Sequence, residues 1–193
     1  MKKPLKDIKV AVLLCNGFED SEMTKPCEAL RKAGAEVDLI TPKGTKVRGW
    51  SHDKWTRYYP VKMTLSKASA NDYDALLLPG GVMNPDALRT NKEAVKFVET
   101  FFKKKKPIAA ICHGPLTLVE TGKLKNRTLT SYHSIKTDLV NAGAKWKDKN
   151  VVVDGNLITS RQPSDIPAFN KAIIAAFSEI SKKKNGMLAS WGW

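Results

Sequence analysis

A cysteine followed at once by histidine, glycine and proline, Cys112-His113-Gly114-Pro115, stands at the junction of two patterns. Before it, the five uncharged residues Pro107 to Ile111 read as a short buried strand; after it, Leu116, Leu118 and Val119 have helical spacing. A strand-to-helix turn of this kind projects a side chain from a strained elbow and aims the unpaired N–H groups of the incoming helix at it. Cys112 is therefore expected to be a thiolate nucleophile with a lowered pKa. Two other strand ends carry unusual residues. The first strand runs into "NGFEDSE", which puts Glu19 and Glu22 in or just after the turn, with the regular helix expected from near Thr24 because Pro26 lacks an amide hydrogen. Another ends in "ALLLPGG", where Gly80 and Gly81 let the backbone approach a ligand and offer bare N–H groups. Thiol, carboxyls and amides together suit attack on a carbonyl. The Gly81 and His113 amides would hold the developing oxyanion, and a protonated Glu22 would hydrogen-bond the thiolate and shuttle protons.

These groups can meet only if their strands lie parallel with the carboxyl ends together. The patterns support that arrangement. Strands are predicted at Ile8–Leu14, Glu36–Thr41, Ala75–Leu78, Ile108–Ile111, Thr128–Thr130, Val151–Val153 and Leu157–Thr159, several continuously apolar, as in a sheet covered on both faces. Helical patterns alternate with them. Thr90 and Glu93 form a capping-box pattern ahead of a face made by Ala94, Val95, Val98, Phe101 and Phe102. Ser164 is the expected cap of the last helix, whose stripe is Ile166, Phe169, Ile173, Phe177 and Ile180. The alternation predicts one α/β domain over residues 1–193 with right-handed crossovers. Two segments interrupt it: an irregular or hairpin excursion at about 43–70, and a tail, 185–193, that carries two tryptophans and shows no obvious helix of its own.

At 193 residues the chain suits one well-buried domain. With 42% hydrophobic and 27% charged residues it reads as globular, which excludes disordered and fibrous classes. No apolar run approaches the ~20 residues of a membrane helix, and Val10 to Leu14 reads as a first strand in place of a leader. Three cysteines, at 15, 27 and 112, are an odd number at no metal-ligand spacing. A reducing, cytoplasmic setting without disulfide, metal or other cofactor is expected; Cys15 and Cys27 read as inert core residues. The formal net charge of +14 is scattered, so nucleic acid would be bound only weakly and without sequence preference.

In this order, "NGFEDSE", "DYDALLLPGGVMNPDALR", "AICHGP", "LTSYHSIKTDLVNAGAKW" and "VVVDGNLITSRQPSDIPAF" resemble the ThiJ/PfpI family, within it the branch of PfpI-like intracellular proteases and deglycases. The resemblance runs over nearly the whole chain. It implies a flavodoxin-like three-layer sandwich with a mostly parallel central sheet, related to class I glutamine amidotransferases, with Cys112 as the elbow nucleophile. By position, Glu19 and Glu22 resemble the acidic site residues, His113 the histidine after the nucleophile, and Tyr132 the aromatic residue of the substrate pocket. Asp86 resembles an acid that reaches the histidine across a subunit interface, although the branch carries glutamate there. A homo-oligomer, at least a dimer, is implied. No histidine follows His133, so the late His-x-Glu pair of the amidotransferases is missing and glutamine hydrolysis is not expected.

Three readings follow from the constellation and the resemblance together. The first is a stress-protective enzyme acting on a small-molecule aldehyde such as methylglyoxal, or on glycated protein, as a glutathione-independent glyoxalase or deglycase. The second is a cysteine peptidase with His113 as base, although neighbours on a first helical turn are expected to point apart. The third is a redox sensor or holdase built on the same thiol.

Overall fold

The computed structural model describes residues 3–190, with the side chains of 183–190 left out of the description. In chain order the strands are β1 (Lys9–Leu13), β2 (Phe18–Glu19), β3 (Glu36–Thr41), β4 (Lys46–Ser51), β5 (Lys54–Pro60), β6 (Met63–Thr64), β7 (Ala75–Leu78), β8 (Ile108–Ile111), β9 (Thr128–Leu129), β10 (Lys145–Trp146), β11 (Val151–Asp154) and β12 (Leu157–Ser160). The helices are α1 (Asp20–Lys32), α2 (Met83–Arg89), α3 (Lys92–Lys103), α4 (Leu116–Val119), α5 (Lys136–Asn141) and α6 (Ile166–Ser190). Seven strands form the central sheet in the order β11-β12-β8-β7-β1-β3-β6. Every pairing in it is parallel except β11 with the edge-proximal β12.

Alternation of side chains splits the core into two layers. Val10, Val12, Leu77, Ala109, Ile111 and Ile158 face α1 and α6, where they meet Met23, Leu30, Phe169, Ile173 and Phe177. Ala11, Leu13, Leu76, Leu78, Ala110 and Leu157 face the other way, onto Phe97, Val98, Phe101, Leu118 and Leu139. The result is the three-layer α/β sandwich that the strand–helix alternation requires, and the segment near Val10 is an interior strand between β3 and β7.

Four local expectations are corrected. Helix α1 opens at Asp20, not near Thr24, and runs through the buried Pro26, whose missing N–H costs the Glu22 carbonyl its i+4 partner without stopping the helix. Asn91, not Thr90, caps α3 by accepting from the Ala94 amide at 2.9 Å, because Thr90 is already the end of α2. Ser164 lies inside a 3-10 turn, Pro163–Asp165, that precedes α6, so it does not cap that helix. Thr128–Leu129 pairs only with Lys145–Trp146 in a separate two-stranded sheet, outside the main one. The last helix also takes in the tail as far as Ser190, while Trp191 and Trp193 lie outside the described residues.

The 43–70 excursion is a hairpin. β4 and β5 pair antiparallel, and β4 adds β2 as a third strand, with Phe18 opposite Gly49 and Glu19 opposite Trp50. Asp20, at the start of α1, pins the hairpin by accepting from Thr56 Oγ1 at 2.7 Å and from the Tyr59 hydroxyl at 2.6 Å. Its outer side carries alternating rings and cations: Lys46 lies 4.3 Å from the Tyr58 ring centroid, and Arg48 lies over both Tyr58 and Trp55. Among the described residues no helix is long and apolar enough to cross a membrane.

Candidate active site

Three loops meet beyond the carboxyl ends of β1, β7 and β8. The parallel register, Val12 beside Leu77 and Leu78 beside Ala110, brings those ends level. The ladder continues past β8, since the Cys112 amide donates to the Ser160 carbonyl at 3.0 Å. At Cys112 the chain turns into the left-handed region, φ 62°, a conformation costly for a side-chain-bearing residue and characteristic of a nucleophile elbow. The turn closes through the Gly114 amide, 2.8 Å from the Ile111 carbonyl. Gly114 has no room for a side chain: a Cβ there would lie 2.5 Å from the Leu78 carbonyl oxygen and 2.9 Å from that of Ile111, both backbone atoms. Gly114→Ala is expected to cost about 1–3 kcal/mol of stability, read from denaturant midpoints; an unchanged midpoint would show that the elbow relaxes freely.

The sequence-predicted groups Cys112, Glu22, Gly80 and Gly81 converge. Glu22 faces inward from the first turn of α1 and is fully buried. Its Oε2 accepts from the Gly80 amide at 3.0 Å, while Oε1 is buried without a conventional partner and the carboxyl meets the Cys112 thiol. Burial is the main cause that pushes the Glu22 carboxyl up to about 8; the nearby Glu19 adds to it, and the contacts with Cys112 and Gly80 oppose it. At neutral pH this keeps Glu22 largely protonated. Gly80 is forced by this closeness, since a Cβ would lie 2.7 Å from Cys112 Cβ and collide with the Glu22 carboxyl.

The expected lowering of the thiol pKa is not found. Burial pushes Cys112 up, and the charge and hydrogen bond of Glu22 push the same way, against the His113 and Gly81 amides, which both point at the sulfur. The physical reason is that Cys112 is only 7% exposed and the helix after it is a single turn, so desolvation outweighs the amide dipoles. The repulsion from Glu22 vanishes once that carboxyl is protonated, so at neutral pH the carboxyl and the thiol each keep a proton and titrate as a coupled pair. Cys15 and Cys27 are raised to about 11 and about 12 by burial, consistent with inert core thiols.

His113 overturns the expectation that adjacent side chains diverge. The positive φ at Cys112 swings the next residue back, so that His113 Nδ1 lies 3.3 Å from Cys112 Sγ. The ring stacks on Tyr132 at a centroid distance of 5.0 Å and 28° between planes. Burial, with the charge of His133, lowers the His113 pKa. Tyr132 thus lies at the site as expected. Glu19 is set back: it forms the half-buried N-cap position of α1, accepts from Ser21 Oγ at 3.0 Å, and acts on Glu22 only through charge. Asp86 is an exposed residue of α2, and within the described chain it is not brought to His113.

Two residues escaped the sequence reading. Asn84 is fully buried; its Oδ1 accepts from the Cys15 amide at 2.7 Å, and its Nδ2 donates to the carbonyls of Pro79 and Gly80 at 2.9 and 3.2 Å, which ties the ends of β1 and β7 together. Ser134 Oγ lies 3.1 Å from His113 Nε2. Asn84 is signalled locally, by an Asn-Pro pair just after the double glycine. Ser134 is 21 residues from its partner and has no such signal.

Comparison with known proteins gives a consistent picture. Residues 8–176 match the DJ-1/PfpI family. General stress protein 18 of Bacillus subtilis is 44% identical over 169 residues, 86% of this chain and 96% of the relative. A protein of the same organism provisionally named a cysteine protease, YraA, is 43% identical over 163 residues, 84% of this chain and 94% of the relative. Among solved structures, DJ-1beta of Drosophila melanogaster aligns with a TM-score of 0.79 at 30% identity, covering 94% of this chain and 97% of its own. Family match, relatives and fold agree with the elbow cysteine and its sheet: the chain belongs to the DJ-1/PfpI family.

Proposed function

We propose that the protein is a cysteine-dependent enzyme that converts small reactive dicarbonyls, or their early adducts on protein, to hydroxy acids without glutathione. The observation that carries this reading is the buried, protonated Glu22, its carboxyl in contact with the Cys112 thiol and one oxygen free of other partners. A neutral acid in contact with a nucleophilic sulfur suits repeated short proton transfers on a small carbonyl compound.

With methylglyoxal the steps balance as follows. The Cys112 thiol gives up its proton on the His113 side, the sulfur bonds to the aldehyde carbon, and the Glu22 proton passes to the aldehyde oxygen, which gives a hemithioacetal and leaves Glu22 ionised. The carboxylate removes the C1 proton and returns it to C2, as the hydroxyl proton moves from the first oxygen to the second, a transfer within reach of His113. The product is a hydroxy thioester. Water cleaves its S–C bond, releasing lactate and a proton that restores neutral Glu22, and the sulfur takes back its own proton from the His113 side. The overall change is addition of one water to methylglyoxal. The Gly81 and His113 amides stabilise the sulfur and the oxygen charge beside it.

Purified protein is expected to form lactate from methylglyoxal in a buffer free of amines and thiols. Absence of lactate would remove this reading. A second reading, cysteine peptidase, gains support from the 3.3 Å approach of His113 Nδ1 to the sulfur and from the name of the YraA relative. Casein cleavage that disappears in Cys112→Ala, with no lactate formed, would establish it instead.

A further inference from the structure

Glu22 is fully buried and Cys112 nearly so, so the carboxyl gives a proton leaving the thiol no direct contact with solvent. A different set of groups leads outward from the sulfur. His113 Nδ1 lies 3.3 Å from Cys112 Sγ, the ring is half-buried against Tyr132, and its far nitrogen lies 3.1 Å from the hydroxyl of Ser134. Ser134 sits in the turn His133–Ile135 and is exposed to solvent. We propose that Ser134 is the positioning residue of His113 and the outlet through which the Cys112 proton exchanges with water.

The choice of a hydroxyl decides what the relay does. A carboxylate at Nε2 accepts only, so it fixes the proton on that nitrogen and favours an imidazolium. A serine hydroxyl both donates and accepts, so it supports a proton on either nitrogen of a neutral ring. In the forward step the Sγ–H bond breaks and its proton bonds to Nδ1. The Nε2–H proton passes to Ser134 Oγ, and the Oγ–H proton passes to water. A thiolate, a neutral imidazole and an intact hydroxyl remain, and the new Nδ1–H donates to the sulfur. Reversal of the same transfers restores the thiol when product leaves; no redox partner is involved.

The groups around the ring fit this use. Cys112 and, behind it, Glu22 stand on one side, Tyr132 stacks on the face, and His133 acts from the neighbouring turn. Burial and His133 both disfavour a charged His113, which leaves the ring neutral, the state a two-way relay needs.

This inference rests on Cys112 as the nucleophile but not on the dicarbonyl substrate, so the test reads the thiol itself. The rate of Cys112 alkylation by iodoacetamide is measured against buffer concentration, with Cys112→Ser as the background from Cys15 and Cys27. Ser134→Ala is expected to slow alkylation about tenfold in dilute buffer. Concentrated imidazole buffer should restore the rate by carrying the proton, Ser134→Thr should react like wild type, and the melting temperature should not move. Wild-type rates in Ser134→Ala, or a deficit that buffer does not relieve, would overturn the proposal. So would a deficit in Asp86→Asn with none in Ser134→Ala, which would mean that an acid from a second copy holds Nε2. Relay behaviour without lactate formation would leave Ser134 in this role and remove the dicarbonyl reading alone.

Discussion

Cys112→Ser is expected to lose lactate formation by roughly 10⁴-fold or more, to the background rate, while the protein folds with little change in stability. The size follows from the chemistry. Every step after the first takes place on an adduct of the sulfur, so the remaining groups have nothing to act on. Serine is close to the thiol in shape and can keep the elbow conformation, with its oxygen between the same His113 and Gly81 amides. Its hydroxyl, however, is far less acidic than a thiol, and a neutral Glu22 beside it does not generate an alkoxide. A product assay with the variant at high concentration checks this. Activity within a few-fold of wild type would mean that Cys112 is not the nucleophile.

Glu22→Gln separates catalysis from stability, because the two should move in opposite directions. Glutamine keeps the shape of the side chain and can still accept from the Gly80 amide, yet it neither gives nor takes a proton. Turnover is expected to fall roughly 10²- to 10⁴-fold. Stability is expected to rise at alkaline pH. In the folded protein Glu22 holds its proton up to about pH 8, whereas an ordinary glutamic acid releases it near 4.5. Between those values the folded state binds more protons than the unfolded one, so wild-type stability falls as the pH rises, by at most about 1.4 kcal/mol per pH unit. Below 4.5 the stabilising contribution is complete, and by pH 8 it is largely lost. The variant lacks this slope. Denaturant unfolding of both proteins at several pH values should show near parity in acid and a growing advantage for Glu22→Gln towards pH 8. Parallel stability curves would show that Glu22 is ionised in the folded state.

The opposition of these effects has a structural meaning. A carboxyl that destabilises the protein above neutral pH is held in place by neighbours that allow no alternative. Gly80 packs against it without a Cβ, Gly81 turns away at φ 78°, and Asn84 fastens the loop that carries both glycines. Strain and desolvation are concentrated where the sulfur reacts.

Much of this was legible in the sequence, and the exceptions share a cause. The two inner strands β7 and β8 are continuously apolar, so Ala75–Leu78 and Ile108–Ile111 could be read with their boundaries intact. The elbow was legible because His, Gly and Pro follow the cysteine. Glu22 was legible as a site residue, although its helix was placed too late: the rule that seats proline in the first turn of a helix yields to the packing of a buried Pro26. The thiol was misjudged because sequence shows the amides near a turn but not how deeply a side chain is buried. The return of His113 toward Cys112 depends on one backbone angle, and the contact with Ser134 depends on where a distant turn lands. Neither leaves a local pattern.

The central claim is that Glu22 is a neutral acid beside Cys112 at physiological pH. Infrared difference spectra of wild type against Glu22→Gln, recorded across the pH range, test it most directly through the carbonyl stretch of a protonated carboxylic acid. That band is expected to be present at neutral pH and to fade with a midpoint of about 8. A spectrum that shows only carboxylate at neutral pH, with the acid band titrating near the ordinary 4.5, would contradict the neutral-acid account.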